Sequence, residues 1–454
     1  MKRYIYIIIG IVVVAVVAIL VLLAIKDRTA NSSLTISGAT TTGSLPATGA
    51  QGGAASGSST ISTLGLPQTT TGSSSGATSG GQVVVQEFGV LSDTPVLDYF
   101  IDPKNVITAI EPTGQVIGIS GGTANIINSS TIDGIISASF SYDGKKIVVS
   151  YGDPTIPKTQ IFDATTNTWT SLQQNALSPQ WSPINSYLLS YLAPAGAGKL
   201  AIKTINAANL KAAPSTLLTL NANDLTLKWP TQSEFILSDK PTLQSVGSIL
   251  AFNSTAGTIT PLVYEALGAE GLWSNNAAIP YGLIFTNNSS ISAGNTTLQL
   301  QALSGSLPTR PLALSTLPSK CTFNTELMPI ATSTIATTTS TATSTTTSTA
   351  TSTAKKSTSP KTNAPTSTPY LALYCGIPRS SSGFSSARLP DDYNTMALFT
   401  SDDVYKINTA TGAEQVLWDD AGQNMDVSDM KFFNNALFFI NRYDNKLYGL
   451  TFAN

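Results

Sequence analysis

The residue types that carry most enzymatic chemistry are scarce in this chain. It has no histidine and two cysteines, and Asp, Glu, Lys and Arg make up only 11% of its 454 residues. The lack of histidine excludes His-based triads, histidine metal sites and imidazole acid–base catalysis. Catalysis by carboxylates, tyrosine or lysine is still chemically possible.

Three pairs of adjacent aspartates are the nearest approach to a carboxylate site. They are Asp391-Asp392, Asp402-Asp403 and Asp419-Asp420. A calcium site or a glycosidase needs carboxylates that converge from several strands, whereas adjacent residues of one strand point to opposite faces. We therefore interpret the pairs as solvated turn residues. The sequence predicts no catalytic residue, no cofactor and no metal ligand, and the protein is not expected to be an enzyme.

The two cysteines are predicted to form a disulfide. Cys321 and Cys375 each lie in a strand-like run, one on either side of a Thr-rich segment. If these runs are neighbouring strands, their Cα atoms approach within the ~4.4–6.8 Å that a disulfide requires. An oxidising compartment outside the cytoplasm would permit the bond. The alternative is a pair of buried, reduced thiols.

A membrane anchor is predicted at the N-terminus. Residues Tyr4 to Ile25 contain no charge and, as a helix, would be long enough to cross a bilayer. A cleaved signal peptide, the alternative, has a shorter apolar region. Lys2 and Arg3 favour a cytoplasmic N-terminus, with the remainder of the chain on the outer side. The net charge of −2 gives no basic field for nucleic acid.

Low-complexity composition divides the rest of the chain. After the anchor region (1–28), residues 29–81 carry no charge and are rich in Ser, Thr and Gly, which predicts a disordered linker. Residues 82–454 form the folded region. A second Thr/Ser-rich segment, residues 331–369, interrupts it and is predicted to be a disordered insertion between neighbouring strands.

The folded region contains a repeat that predicts an all-β fold. Short runs of Val, Ile, Leu, Tyr and Phe alternate with turn residues, and helical periodicity is absent. An aromatic residue followed by a polar turn and a second apolar strand recurs at Phe100, Phe140, Trp181, Trp229, Trp273, Phe323 and Phe433. Most intervals are 40–50 residues, the period of a four-stranded propeller blade. We therefore predict a β-propeller of seven blades, with six or eight as alternatives.

The clearest copy of the repeat is Phe140-Ser141-Tyr142-Asp143-Gly144-Lys145-Lys146-Ile147. It resembles the blade signature of TolB-like and WD-repeat-like propellers, in which Pro usually stands where this chain has Tyr142. Such propellers are also similar to the non-catalytic propeller of prolyl oligopeptidases. The resemblance implies a scaffold for protein or glycan contact and brings no catalytic residues with it.

The last repeat unit has room for only three strands, around Met430–Phe433, Ala436–Asn441 and Lys446–Phe452. Residues Val83 to Phe88 form a spare strand after the linker. We predict that this strand completes the last blade and closes the ring.

These expectations describe a single-pass membrane protein whose propeller binds an unknown protein or glycan partner. A carboxylate-based glycan hydrolase or lyase, with its site in the central funnel, is one alternative. A structural component of the cell envelope is another.

Overall fold

The computed structural model describes residues 85–120, 123–172, 175–288, 296–303, 309–327 and 369–452. The predicted anchor, the predicted linker and most of the Thr/Ser-rich insertion lie outside these ranges, as do Val83 and Val84. Across the described ranges, no helix is long and apolar enough to cross a membrane. All of them fall in one unit, Ser59–Asn454.

The part of the chain that the structure describes is almost entirely β-structure, arranged in six antiparallel sheets. Strand β1 (Val85–Val90) belongs to the last sheet. The first three sheets along the chain consist of β2 (Asp98–Ile101), β3 (Ile107–Ile110), β4 (Val116–Ser120), β5 (Thr123–Asn128), β6 (Ile135–Phe140), β7 (Lys146–Tyr151), β8 (Lys158–Asp163), β9 (Thr168–Leu172), β10 (Leu177–Trp181), β11 (Leu188–Pro194), β12 (Leu200–Asn206) and β13 (Ser215–Leu220). The later ones comprise β14 (Leu225–Lys228), β15 (Glu234–Asp239), β16 (Val246–Asn253), β17 (Thr258–Trp273), β18 (Tyr281–Asn287), β19 (Thr296–Ala302), β20 (Arg310–Leu312), β21 (Cys321–Leu327), β22 (Pro369–Pro378), β23 (Asp402–Asn408), β24 (Glu414–Trp418), β25 (Val427–Phe433), β26 (Ala436–Asn441) and β27 (Lys446–Phe452).

Five sheets have four strands each, and one has seven, β14 to β20. The seven-stranded sheet depends on β17, which is 16 residues long. Its first part pairs with β16 and its last part pairs with β18. One long strand therefore joins two sets of four strands.

The turn between β6 and β7 follows the repeat's sequence signature. Gly144 has a φ of +69°, a conformation that an L-residue adopts only at a cost. A side chain at this position would also collide with the ring of Phe100, which packs over the turn. The Asp-Gly pair thus forms the predicted tight turn.

The predicted closing strand is confirmed. β1 pairs antiparallel with β27, so the start of the described chain completes the sheet formed by its last three strands. Phe88 of β1 is buried and stacks on Trp418 and Tyr448, with ring centroids 4.9 Å and 5.8 Å apart. This packing couples the closing strand to the neighbouring sheet as well as to its own.

The sheets pack face to face around a ring. Leu192 and Ile202 of one sheet, for example, share a core with Leu227 and Phe235 of the next. The first strands of successive sheets contact each other from β2 through β6 and β10 to β14. Strand β17, whose last part begins the second set of four strands, contacts β21, which contacts β25. We count β17 with the first strands. Lys431 of β25 then bonds the backbone of β2. The chain is a β-propeller, and its first strands enclose a central channel.

A long connection between β22 and β23, residues 379–401, crosses one face of the ring. The connection contains two short helices, α1 (Ser381–Ser386) and α2 (Asp391–Asn394). Asp391 accepts hydrogen bonds from Thr242 and Leu243, in the connection between β15 and β16. We call residues 379–401 the strap.

The cysteines lie directly opposite each other on β21 and β22. Their Cα atoms are 4.1 Å apart, and the structure contains the Cys321–Cys375 disulfide. Both side chains are buried. The Thr/Ser-rich segment leaves after Leu327 and returns at Pro369, which is the first residue of β22 and pairs with Leu327.

A charged cluster in the central channel

Five charged side chains from the first strands meet in the central channel. Together we call them the channel cluster: Asp98 of β2, Lys228 of β14, Glu270 of β17, and Asp429 and Lys431 of β25. Burial lowers the pKa of Lys228, and the charges of Asp429, Asp98 and Glu270 oppose this effect. Because β14, β2 and β25 belong to different parts of the ring, these interactions cross its centre.

Lys431 organises one side of the cluster. Its Nζ donates to the carboxylate of Asp98 and, at 2.6 Å, to the backbone oxygen of Tyr99. It lies 4.1 Å from the centroid of the Tyr99 ring and 3.4 Å from Oδ2 of Asp429. The ammonium is therefore held by two carboxylates, a carbonyl and an aromatic face.

An irregularity in β25 determines how Asp429 and Lys431 are presented. The pairing of β25 with β26 shifts between Ser428 and Lys431. Within this bulge Asp429 has a φ of +44°, which is unusual for a residue other than glycine. Its carbonyl accepts a hydrogen bond of 2.7 Å from the hydroxyl of Tyr99. The bulge therefore bends β25 where it supplies two charges to the channel.

Lys228 differs from Lys431 because its side chain has no partner in the part of the chain that the structure describes. Its side chain is exposed, and it forms no ion pair or hydrogen bond with the described residues. Burial lowers the pKa of its ammonium despite the nearby carboxylates. Lys228 can be exposed to solvent and still have a pKa lowered by burial, since a side chain inside a channel contacts water while protein atoms surround it. Lys228 thus offers a free amino group to any ligand that enters the channel.

Two carboxyl groups of the cluster have raised pKa values. Burial raises the pKa of Asp98 to about 6, an effect that Lys431 opposes and Asp429 reinforces. Burial also raises the pKa of Glu270, whose Oε1 accepts a hydrogen bond from the backbone N–H of Ser319 at 3.0 Å. The cluster therefore combines a free amine with carboxyl groups that accept protons more readily than usual.

Sequence reasoning did not single out the channel cluster, although the sequence contains a signal for it. Lys228, Asp98, Lys431 and Glu270 each precede an aromatic anchor of the repeat by one to three residues. The anchors lie in or just after the first strands, so a charge just upstream of an anchor falls on a strand that borders the channel. In a chain with so few charges, this position is informative.

The aspartate pairs do not converge on one site. Asp419 and Asp420 are exposed, as expected for solvated residues. The interpretation is wrong for Asp402, the first residue of β23, because its side chain is fully buried against Lys320. Asp403 points the other way and pairs with Arg379. Alternation along β23 explains the difference between the two neighbours.

Asp402 belongs to a buried ionic network that sequence reasoning missed. Lys320 binds Asp402 and Asp426, and Arg442 binds the other oxygen of Asp426 at 2.7 Å. The Arg442 guanidinium lies 3.6 Å from the centroid of the Tyr393 ring in the strap and donates to the Tyr393 carbonyl. The network fastens the strap to the last two sheets. Being fully buried, it is a structural element rather than a binding site.

No group of three or more Asp, Glu, His or Cys residues in the described ranges is placed to hold a metal ion. Three of the five tryptophans, Trp181, Trp229 and Trp418, are buried in the packing between strands.

Comparison with protein-family models finds no match, and comparison with curated proteins finds none either. Among solved structures, the chain is similar to the tricorn protease (TM-score 0.44, 9% identity, 82% of this chain and 34% of that chain). It is also similar to the β-propeller domain of the Trilobed protease from Pyrococcus furiosus (TM-score 0.42, 8% identity, 82% and 94%). TolB from Acinetobacter baumannii is a third (TM-score 0.30, 11% identity, 78% and 62%). The chain spans about a third of the tricorn protease chain, and its fold assignment rests on its own strand pairing.

Proposed function

We propose that this propeller is a binding module that captures a protein partner through its central channel. The observation that carries the proposal is Lys228, an exposed ammonium without a partner in the described structure, placed among the carboxylates of three other strands. An ammonium group that is open to solvent, surrounded by protein and not engaged by another side chain is available to an anionic ligand. A partner segment with an acidic side chain or a carboxyl terminus would supply the missing contact.

The ring that supports this site has seven blades in our proposal. Five four-stranded sheets account for five blades, and the seven-stranded sheet accounts for two that share β17. The sharing removes the tight connection that separates other blades. It explains how a count of seven agrees with six hydrogen-bonded sheets.

The protein is proposed to lie outside the cytoplasm, attached to a membrane through residues 4–25 with its N-terminus in the cytoplasm. The uncharged run at the N-terminus supports the anchor, and the Cys321–Cys375 disulfide is consistent with an oxidising compartment. Protease protection of the intact cell tests the orientation, since an external propeller is digested without lysis.

Affinity capture tests the binding function. Full-length tagged protein, solubilised in mild detergent, is incubated with cell envelope and the retained proteins are identified by mass spectrometry. We expect a reproducible partner with the unaltered protein and a loss of most of it with Lys228→Gln. Lys158→Gln is the matched control, because Lys158 is exposed on the third strand of its sheet. Equal capture by both variants, or no partner at all, would contradict the proposal.

A carboxylate-based glycan hydrolase or lyase is the second candidate. The observation that favours it is the presence of two carboxyl groups whose pKa burial raises: Asp98, which interacts with the carboxylate of Asp429, and Glu270, which interacts with Lys228. Glycosidases use such a contrast between a protonated acid and an ionised carboxylate. A screen of envelope polysaccharides for new reducing ends or unsaturated sugars decides it. Activity that survives Glu270→Gln and Asp98→Asn would exclude the channel as its site.

A further inference from the structure

A polar cleft of about 290 Å³ lies on the outer part of the seven-stranded sheet, away from the first strands. Strands β15, β16 and the start of β17 form one wall, and the end of β19 forms the other. The side chains that give it its character are Glu234, Asn253, Thr260, Leu262, Gln301 and Leu303. Its size is close to the lower end of the range for small-molecule sites, which begins at about 300 Å³.

Glu234 is the only charged residue among the described residues that line the cleft. It is 6% exposed, and the Nδ2 of Asn253 donates to its Oε1 at 2.6 Å. Within the described ranges, no lysine or arginine forms an ion pair with it. A carboxylate buried to this degree is normally paired with a cation or fully hydrogen-bonded.

The corresponding position in another sheet emphasises the contrast. Lys146 and Asp163 begin and end β7 and β8 and lie directly opposite each other, as Glu234 and Asn253 do on β15 and β16. There the two side chains form an ion pair. In the cleft, a carboxylate faces a neutral amide instead. The local fold thus permits an ion pair at this position. Because Glu234 has a neutral amide as its partner instead of a cation, its carboxylate can accept further hydrogen bonds from a ligand in the cleft.

We infer that this cleft binds a sugar residue of a neutral glycan. A neutral sugar offers hydroxyl donors, which the Glu234 carboxylate accepts strongly because the hydrogen bond is charge-assisted. Gln301 and Thr260 supply donors and acceptors for further hydroxyl groups, and Leu262 and Leu303 cover a C–H face. The described residues that line the cleft include no basic side chain, and the negative charge of Glu234 favours a neutral ligand over an anionic one. This inference does not depend on the channel or on its partner.

Titration of the purified full-length protein with glucose, galactose, mannose and N-acetylglucosamine tests the inference. Saturation-transfer NMR detects binding, and calorimetry gives the affinity. We expect at least one sugar to bind and its affinity to fall about tenfold with Glu234→Gln, which retains the acceptor for Asn253 but loses the charge. Gln301→Ala is a second variant, at a half-buried side chain whose removal leaves the strand pairing intact.

Glu414→Gln is the matched control, since Glu414 is exposed on β24 and changes charge by the same amount. Thermal melting of every variant verifies that it is folded. Sugar binding that both cleft variants weaken and the control preserves supports the site. The absence of binding to any sugar at millimolar concentration overturns the inference. It is equally overturned if calcium, rather than a sugar, binds and is lost with Glu234→Gln.

Discussion

Lys320 and Asp402 form an ion pair in which Nζ and Oδ2 are 2.6 Å apart and both side chains are completely buried. Lys320 immediately precedes β21, and Asp402 begins β23, two strands away in the same sheet. Burial by itself lowers the pKa of Lys320, but the negative charges of Asp402 and Asp426 outweigh it and keep the pKa above its ordinary value. The ammonium therefore stays charged in the interior.

Lys320→Met is expected to destabilise the protein strongly. The substitution leaves the carboxylates of Asp402 and Asp426 buried with less compensating charge, and the loss of one partner of a buried pair typically costs about 3–5 kcal/mol. Denaturant unfolding measures the change. Lys240→Met is the control, because its ion pair with Asp224 is exposed and worth at most about 1 kcal/mol. Similar losses in both variants would mean that burial of the network has no energetic consequence.

The stability of the protein should depend on the ionisation of Asp98. Burial raises its pKa from 3.8 to about 6, so the folded state binds more protons than the unfolded state between these values. The contribution of Asp98 to the stability is then fully present below about pH 4 and is lost as the pH rises through about 6, by at most about 3 kcal/mol.

Asp98→Asn should remove the part of this slope that Asp98 contributes, whatever it does to the absolute stability, because asparagine does not ionise. The free energy of unfolding is measured from pH 3.5 to 7. Asp93→Asn, at an exposed position nearby, serves as the control and should retain the slope. A slope of the same size with Asp98→Asn would show that another group causes it.

Reduction of the Cys321–Cys375 bond should weaken the sheet that contains the Thr/Ser-rich insertion. The bond closes a loop of 54 residues, and a disulfide of this kind typically contributes roughly 2–4 kcal/mol, mainly by restricting the unfolded chain. The measurement compares unfolding with and without reductant. Thiol titration of the unfolded, unreduced protein should find no free thiol, and two free thiols would contradict the disulfide.

Phe88→Ala should loosen the closure of the ring. The substitution removes a buried ring that stacks on Trp418 and Tyr448, and such losses typically cost about 3–5 kcal/mol. Hydrogen exchange should accelerate mainly in β1 and β27, with β12 as an internal reference in a sheet that does not contain the closing strand. Uniform acceleration in both regions would indicate that closure is not a separate unit of stability.

Gly144→Ala should destabilise more than Gly257→Ala. Both glycines have a positive φ, close to +69° and +67°, so each substitution carries a backbone cost of about 1–2 kcal/mol. Only at 144 would the new Cβ lie 2.1 Å from the Phe100 ring, whereas at 257 nothing lies within 4 Å. The difference between the two free energies of unfolding measures the clash. No difference would mean that Phe100 moves away freely.

Local features of the sequence determined much of the fold. The alternation of apolar and turn residues predicted the strands, the Asp143-Gly144 pair predicted a tight turn, and the spare strand that ends at Phe88 predicted the closure. Each of these predictions depends on residues that are close together in the chain or on a repeat whose spacing can be measured in the sequence. The anchor and the linker remain predictions, as they lie outside the described residues.

Only the tertiary structure decided where the charges lie. Asp402 and Asp419 look alike in sequence, each the first of an aspartate pair, yet one is buried on Lys320 and the other is exposed. Lys228 and Asp98 are 130 residues apart and become neighbours because the ring curves back on itself. The local sequence pattern indicates which face of a strand a residue occupies. It does not report which distant strand that face meets, because that depends on how every blade between them packs.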